Sequence, residues 1–223
     1  MVNYEEIFHQ CKTPSRTCLF CEPTSGTVLL ETEHFRLIAD TYPIVPGHIM
    51  ISSKAHYGAA GELVGELHEE FVHMRYCAKQ IVTESSATCV FYEHGKAGSC
   101  HAHSSENVHC EHFHMHCLPA SICIHSTIAK HFQGHAMESI IDIFAYYPKH
   151  GSYLFFENAD GVMRYYPAEE QIVPSHFLRT LVCAALNVPD LANWESYDDL
   201  PCFLQSRELI AIAMQKEHMY ALL

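Results

Sequence analysis

Residues 112–116 read His-Phe-His-Met-His, a strict alternation. Its period is that of a β-strand and cannot be met by a helix. A strand over Glu111–Leu118, ended by Pro119, puts His112, His114 and His116 on one face and Phe113, Met115 and Cys117 on the other. With a core against the apolar face, three imidazoles meet whatever approaches the opposite one. Imidazole titrates near neutrality, so it serves as nucleophile, acid, base or metal ligand. The chain holds 19 histidines, so abundance is the plain alternative. The patterned flanks of this run set it apart.

Residues 1–17 read as a short helix and a polar loop. Val28–Glu31 and Phe35–Asp40 read as strands around a Glu-His turn, Pro43–Gly47 as a turn and His48–Ser52 as a strand. In Gly61–Glu84, Leu63, Leu67, Phe71, Met74, Ala78 and Ile81 recur at steps of three or four, which predicts one long helix. Thr88–Tyr92 is β-branched and aromatic, hence a strand. Glu93–Cys110 is polar and rich in Gly, Ser and His, hence a loop beside the triad. Strands, a helix, then more strands predict an α+β fold with an antiparallel sheet.

Later in the chain, Asn158-Ala-Asp-Gly161 between two apolar runs predicts a hairpin over Tyr153–Tyr166. Ser175 is the expected N-cap of a helix reaching about Asn187, and a last helix covers Phe203–His218. The expected organisation is residues 1–125 as one α+β unit, with residues 126–223 as a C-terminal α/β extension of hairpin and helices packed on it. The hairpin is read as a cover for the triad or a homodimer contact, and Trp194 as a packing residue.

The formal charge is −13, from 13 Lys and Arg against 26 Asp and Glu. That balance argues against nucleic acid as a partner, which would need clustered cations. No apolar stretch approaches the length of a membrane span. The first dozen residues are acidic and lack the apolar centre of a secretory signal. With 11 cysteines, the chain is expected in a reducing cytoplasm with free or metal-bound thiols.

Two further motifs accompany the triad: Asp40-x-x-Pro43-x-x-Pro46-Gly47-His48, and Cys18-x-x-Cys21 with Ser53-Lys54-Ala55-His56. In order and spacing, residues 18–119 resemble the histidine triad (HIT) family of nucleotide hydrolases and transferases. The resemblance implies phosphoryl chemistry through a covalent nucleotidyl-histidine, with a nucleotide as the small-molecule partner. His114 would be the nucleophile, its other nitrogen held by a main-chain carbonyl. His116 would bond near the phosphate, and His48 would orient His116. Asp40 would accept from the ribose hydroxyls, with Leu37 and Ile38 beside it as candidates for the base pocket. The plain alternatives are a strand-end turn residue for Asp40 and a buried structural histidine for His48.

Several family members that keep the Cys pair bind zinc with it, and this chain has a residue to match each ligand: Cys18, Cys21, His56 and His112. Two thiolates and two imidazoles suit a closed, structural tetrahedral zinc. A redox-active Cys pair and a metal-binding tract over His94–His116 are the rival readings.

The chain departs from the family before the triad. Val108-His109-Cys110 stands where many members carry Gly-Gln-Ser, and Glu93-His94-Gly95 where many carry Asn-x-Gly. His109 is then the candidate phosphate donor and Lys96 a candidate polyphosphate contact. His94, His101 and His103 read as solvated loop residues. Ser175 and Arg179 suggest an anion site, against an ordinary cap and a surface arginine. The expected activity is a HIT-type hydrolase or nucleotidyltransferase acting on a dinucleoside polyphosphate, a phosphoramidate or an adenylylated small molecule. The alternatives are a non-catalytic nucleotide-binding protein and a metal-binding protein.

Overall fold

A computed structural model describes residues 3–12, 18–84, 86–98, 111–169 and 172–216. His101, His103 and His109 lie outside them.

The chain forms helix α1 (Tyr4–Cys11) and strands β1 (Val28–Glu31), β2 (Phe35–Ala39) and β3 (Ile49–Ser53). Helix α2 (His68–Thr83) follows, then β4 (Val90–Gly95) and β5 (His114–Leu118). The later part adds α3 (His125–Ile128), β6 (His135–Met137), α4 (Asp142–His150), β7 (Tyr153–Glu157), β8 (Met163–Pro167), α5 (Phe177–Ala185) and α6 (Leu200–Met214). No described helix is long and apolar enough to cross a membrane.

All eight strands share one sheet in the order β1-β2-β3-β5-β4-β7-β8-β6. Each ladder is antiparallel, so the fold is α+β as the element order predicts. The hairpin β7–β8 neither covers the triad nor stands free. β7 pairs with β4 along Phe91↔Glu157 to Gly95↔Tyr153, in the interior of the sheet. That pairing carries β4 through Glu93, His94 and Gly95, where the polar composition suggests a loop. Gly95 is required there, because a Cβ would sit 2.2 Å from the Tyr153 ring.

Strand parity divides the core. Phe91, Met115, Cys117 and Phe155 pack with Phe71, Met74 and Ile81 of α2 on one face. Val90, Tyr92, Leu118, Leu154 and Phe156 pack with Leu178, Val182 and Cys183 of α5 on the other. Fully burying one such aromatic side chain contributes roughly 1.5–3 kcal/mol, so the two-sided pattern strongly disfavours a one-residue register slip. Leu37 faces the α2 side and is fully buried, which removes it from the base pocket, while Ile38 turns toward the cleft.

The helix predicted from Gly61 begins as two short 3-10 turns, Ala60–Glu62 and Gly65–Leu67, before α2 starts at His68. Ser175 does not cap α5. His176 occupies the cap position in the left-handed region, with φ 58° and ψ 25°, and makes no side-chain cap bond. Of the nine cysteines described, none forms a disulfide.

Candidate functional site

β3 and β5 run antiparallel with Met50↔His116 and Ser52↔His114 in register, and β4 flanks β5 with Tyr92↔His116. The histidine face opens into a cleft of about 170 Å³. Its lining includes Phe20, Ile38, Asp40, His94, His114 and Arg179.

The hydrogen bonds decide which nitrogen of each ring carries the proton. His114 Nδ1 lies 2.7 Å from the His112 carbonyl oxygen and donates to it. The lone pair of His114 is therefore on Nε2. Burial holds its pKa below the ordinary histidine value, which favours this neutral, nucleophilic form.

A second relay runs behind it. The Ile44 main-chain N–H donates to His48 Nδ1 at 3.3 Å. His48 Nε2–H then donates to His116 Nδ1 at 2.9 Å. The proton of neutral His116 is left on Nε2. Burial pushes His48 down to about 4. Burial, then repulsion from His48 and His114, lowers His116 well below the usual range. The His116 ring stacks on Tyr92 with centroids 4.3 Å apart. Gly47, at φ 90°, makes the turn that starts this arrangement, and its N–H donates to Ser206 Oγ of α6 at 2.9 Å. The left-handed backbone favours glycine there.

Asp40 is 3% exposed, and its Oδ1 accepts from Tyr42 N–H at 2.7 Å. Oδ2 lies 3.1 Å from His48 Nδ1 and 3.9 Å from the Arg179 guanidinium, yet accepts no hydrogen bond. A buried carboxylate oxygen without a donor is costly, and a ligand hydroxyl would satisfy it. Its place on the cleft wall fits that demand.

The second cluster joins three separate segments. Cys18 Sγ and Cys21 Sγ each lie 3.4 Å from His112 Nδ1. Cys21 Sγ is 3.2 Å from His56 Nδ1, and the two Nδ1 atoms are 3.2 Å apart. His112 Nε2–H donates to the Ser53 carbonyl at 2.8 Å, which leaves a lone pair on Nδ1 pointing at the cluster. A tetrahedral centre with bonds of about 2.3 Å to sulfur and about 2.0 Å to nitrogen has donor–donor edges of roughly 3.3–3.8 Å. The observed separations of 3.2–3.4 Å lie at or just below the short end of that range, and all four ligand atoms fall within 4.8 Å of one another. This donor set fits a thiophilic metal ion that takes four ligands and leaves no open position.

Other expected residues take different places. Lys96 lines the cleft, with its Nζ 2.9 Å from Glu62 Oε1. His94 is not a solvated loop residue: it is partly buried on β4 and lines the cleft. Arg179 is not a surface arginine. It is 5% exposed and donates to the main-chain carbonyls of Leu191 at 2.9 Å and Tyr42 at 2.8 Å. Trp194 is more than packing: it lines the cleft 5.2 Å from Tyr42, and its Nε1–H donates to His176 Nε2 at 2.6 Å. Phe20, between the two cysteines, stacks on His114 at 4.4 Å between centroids. Its carbonyl accepts from Arg36 at 3.1 Å. The placement of Phe20 inside the Cys-x-x-Cys loop was a signal available in the sequence, and Arg179 was legible as an anion-site candidate but not as a buried residue; Tyr92 and Tyr42 carried no signal.

No family model and no curated protein matches the chain. Among solved structures, a histidine triad nucleotide-binding protein of Sulfolobus tokodaii is 21% identical, covering 46% of this chain and 68% of its own, with a TM-score of 0.36. A HIT family protein of Bacillus anthracis is 16% identical over 54% of this chain and 100% of its own, with a TM-score of 0.36. A HIT family hydrolase of Clostridium thermocellum is 21% identical over 48% of this chain and 93% of its own, with a TM-score of 0.32.

Proposed function

We propose that the chain is a histidine triad enzyme that cleaves or transfers a nucleotide through a covalent nucleotidyl-histidine. The observation that carries this reading is the pair of fixed tautomers. His114 offers a lone pair at Nε2, while the relay from Ile44 through His48 leaves His116 with a donor at Nε2. One ring is thus prepared to attack phosphorus and its neighbour to donate to the oxygen that gains charge. In the first step, His114 Nε2 bonds to the α-phosphorus as the bond to the leaving group breaks, and the leaving group departs with that bonding pair. In the second, water or an acceptor alcohol or phosphate attacks the same phosphorus, losing its proton as the P–N bond breaks and His114 becomes neutral again.

Asp40 Oδ2 would accept from the ribose diol, and Ile38 would meet the base. Residues 1–125 carry the reacting groups in this reading, and residues 126–223 close the cleft with Arg179, His176 and Trp194. Lys96 remains at the polyphosphate end, and His109 is proposed as a second phosphate donor. The Cys18, Cys21, His56 and His112 cluster would hold a structural zinc ion that fixes the Phe20 loop against the triad strand. A cytoplasmic location and a homodimer belong to the same proposal. The substrate class is a dinucleoside polyphosphate, a phosphoramidate or an adenylylated small molecule.

The test is mass spectrometry of the protein after mixing with adenylyl, guanylyl and uridylyl donors, with released products read in parallel. A nucleotide-sized adduct or a released monophosphate is expected, and is lost in His114→Ala. Equal turnover in His114→Ala removes His114 from the nucleophile role. Ligand binding with neither adduct nor product favours the binding-protein reading.

A further inference from the structure

His94 lies two residues beyond Tyr92 on β4, on the face that carries His114 and His116. The β4–β5 register pairs Tyr92 with His116, and its extension sets His94 opposite His114. The main-chain N–H of Leu178, in the first turn of α5, donates to His94 Nε2 at 3.0 Å. Nε2 therefore spends its lone pair on α5, and the proton of the neutral ring is on Nδ1. Among the described residues none accepts from Nδ1, and the ring lines the cleft beside His114. Burial, followed by repulsion from His114 and His176, lowers His94 to about 3, so the neutral tautomer holds at neutral pH.

A phosphoryl group offers only acceptors. A charged donor such as Lys96, already paired with Glu62, would lower the basicity of an adjoining imidazole, whereas a neutral N–H carries no net charge to do so. From these positions we propose that His94 is a phosphate-binding residue, whose Nδ1–H donates to a non-bridging oxygen of the phosphoryl group attacked by His114. Helix α5 sets that tautomer through Leu178, so the C-terminal segment acts on the phosphate site without touching the ligand there. The assignment rests on the nucleotide reading above and adds a contact that the triad pattern does not include.

Two conservative variants separate the two nitrogens. His94→Gln keeps an acceptor for Leu178 N–H and loses the donor at the Nδ1 position. His94→Asn keeps a donor near the Nδ1 position and loses the acceptor for α5. Calorimetric titration uses matched pairs of nucleoside and nucleoside monophosphate, adenine, guanine and uracil in turn, on the full chain. His94→Gln is expected to weaken the monophosphate by about tenfold or more while changing the nucleoside by no more than about twofold. His94→Asn is expected to keep monophosphate affinity within about threefold and to melt at a lower temperature. Imidazole 15N shifts of the wild type should show Nδ1 of His94 protonated. Unchanged monophosphate affinity in His94→Gln, or equal losses for both ligands, overturns the inference while the nucleotide reading stands. Wild-type protein that binds no member of the series overturns the nucleotide reading, and this assignment with it.

Discussion

Arg179→Met should cost far more than a surface arginine would. The substitution keeps most of the apolar stem and removes the guanidinium, so the loss reports on polar contacts more than on packing. Two charge-assisted hydrogen bonds disappear, to Leu191 O and Tyr42 O. Each such bond contributes about 1.5–3 kcal/mol when its acceptor is buried. Asp40 also loses the cation 3.9 Å from its Oδ2. At that distance the pair is weak, and water entering from the cleft will recover part of the two carbonyls, so the sum is discounted to about 3 kcal/mol. For a chain of this size that corresponds to a fall in melting temperature of roughly 6–12 °C. Arg179→Lys keeps the charge but cannot bridge Leu191 and Tyr42 with one planar fork, so it should recover less than half of the loss. Urea denaturation followed by circular dichroism, with m-values compared, supplies the numbers. A loss under about 1 kcal/mol in Arg179→Met, at unchanged m, would refute the claim that this side chain fastens α5 to the strand-end turn at Asp40.

Two other perturbations test neighbouring parts of the site. Cys18→Ser should abolish a metal content of about one ion per chain, read by elemental mass spectrometry, and lower the melting temperature, because binding to the folded state alone stabilises it; equal metal in variant and wild type would remove the tetrad. Glu93→Gln should flatten the pH dependence of stability. Burial raises Glu93 from 4.5 to about 7, against hydrogen bonds from Ala60 N–H and Tyr153 that favour the ionised form. The folded state therefore binds more protons than the unfolded one between those values, so the stability Glu93 contributes is present at low pH and falls by about 3 kcal/mol as pH rises through 7. A wild-type stability that is level or rising from pH 5 to pH 7.5, after correction for the variant, would contradict this sign.

What the sequence made legible follows from range. The His-Phe-His-Met-His run encodes its own geometry, because parity alone sends Met115 and Cys117 to the α2 core and His114 and His116 to the cleft. The Asn158–Gly161 turn is equally local, and Asn158 Oδ1 accepts from both Asp160 N–H and Val162 N–H there. Parity could also have removed Leu37 from the base pocket, since two successive strand residues cannot face one cleft. The remaining errors share a different cause. Glu93-His94-Gly95 has a loop's composition, and it is a strand only because β7, some sixty residues later, supplies the partner along its open edge. Arg179 is buried because Tyr42, distant in sequence, and Leu191, just beyond α5, place carbonyls where its fork can reach. Ser175 fits the composition of a cap, but α5 begins after His176, where the left-handed backbone directs Leu178 N–H to His94 instead of to a side-chain cap. In each case a local propensity is worth a few tenths to about 1 kcal/mol, and a ladder or a buried charged fork outweighs it. The residues most easily misjudged from sequence are therefore those that tie the later part of the chain to the histidine face. His94 and Arg179 are two of them, and both line the cleft. That concentration is the physical reason to look for substrate selection in residues 126–223, whose own sequence carries no catalytic pattern.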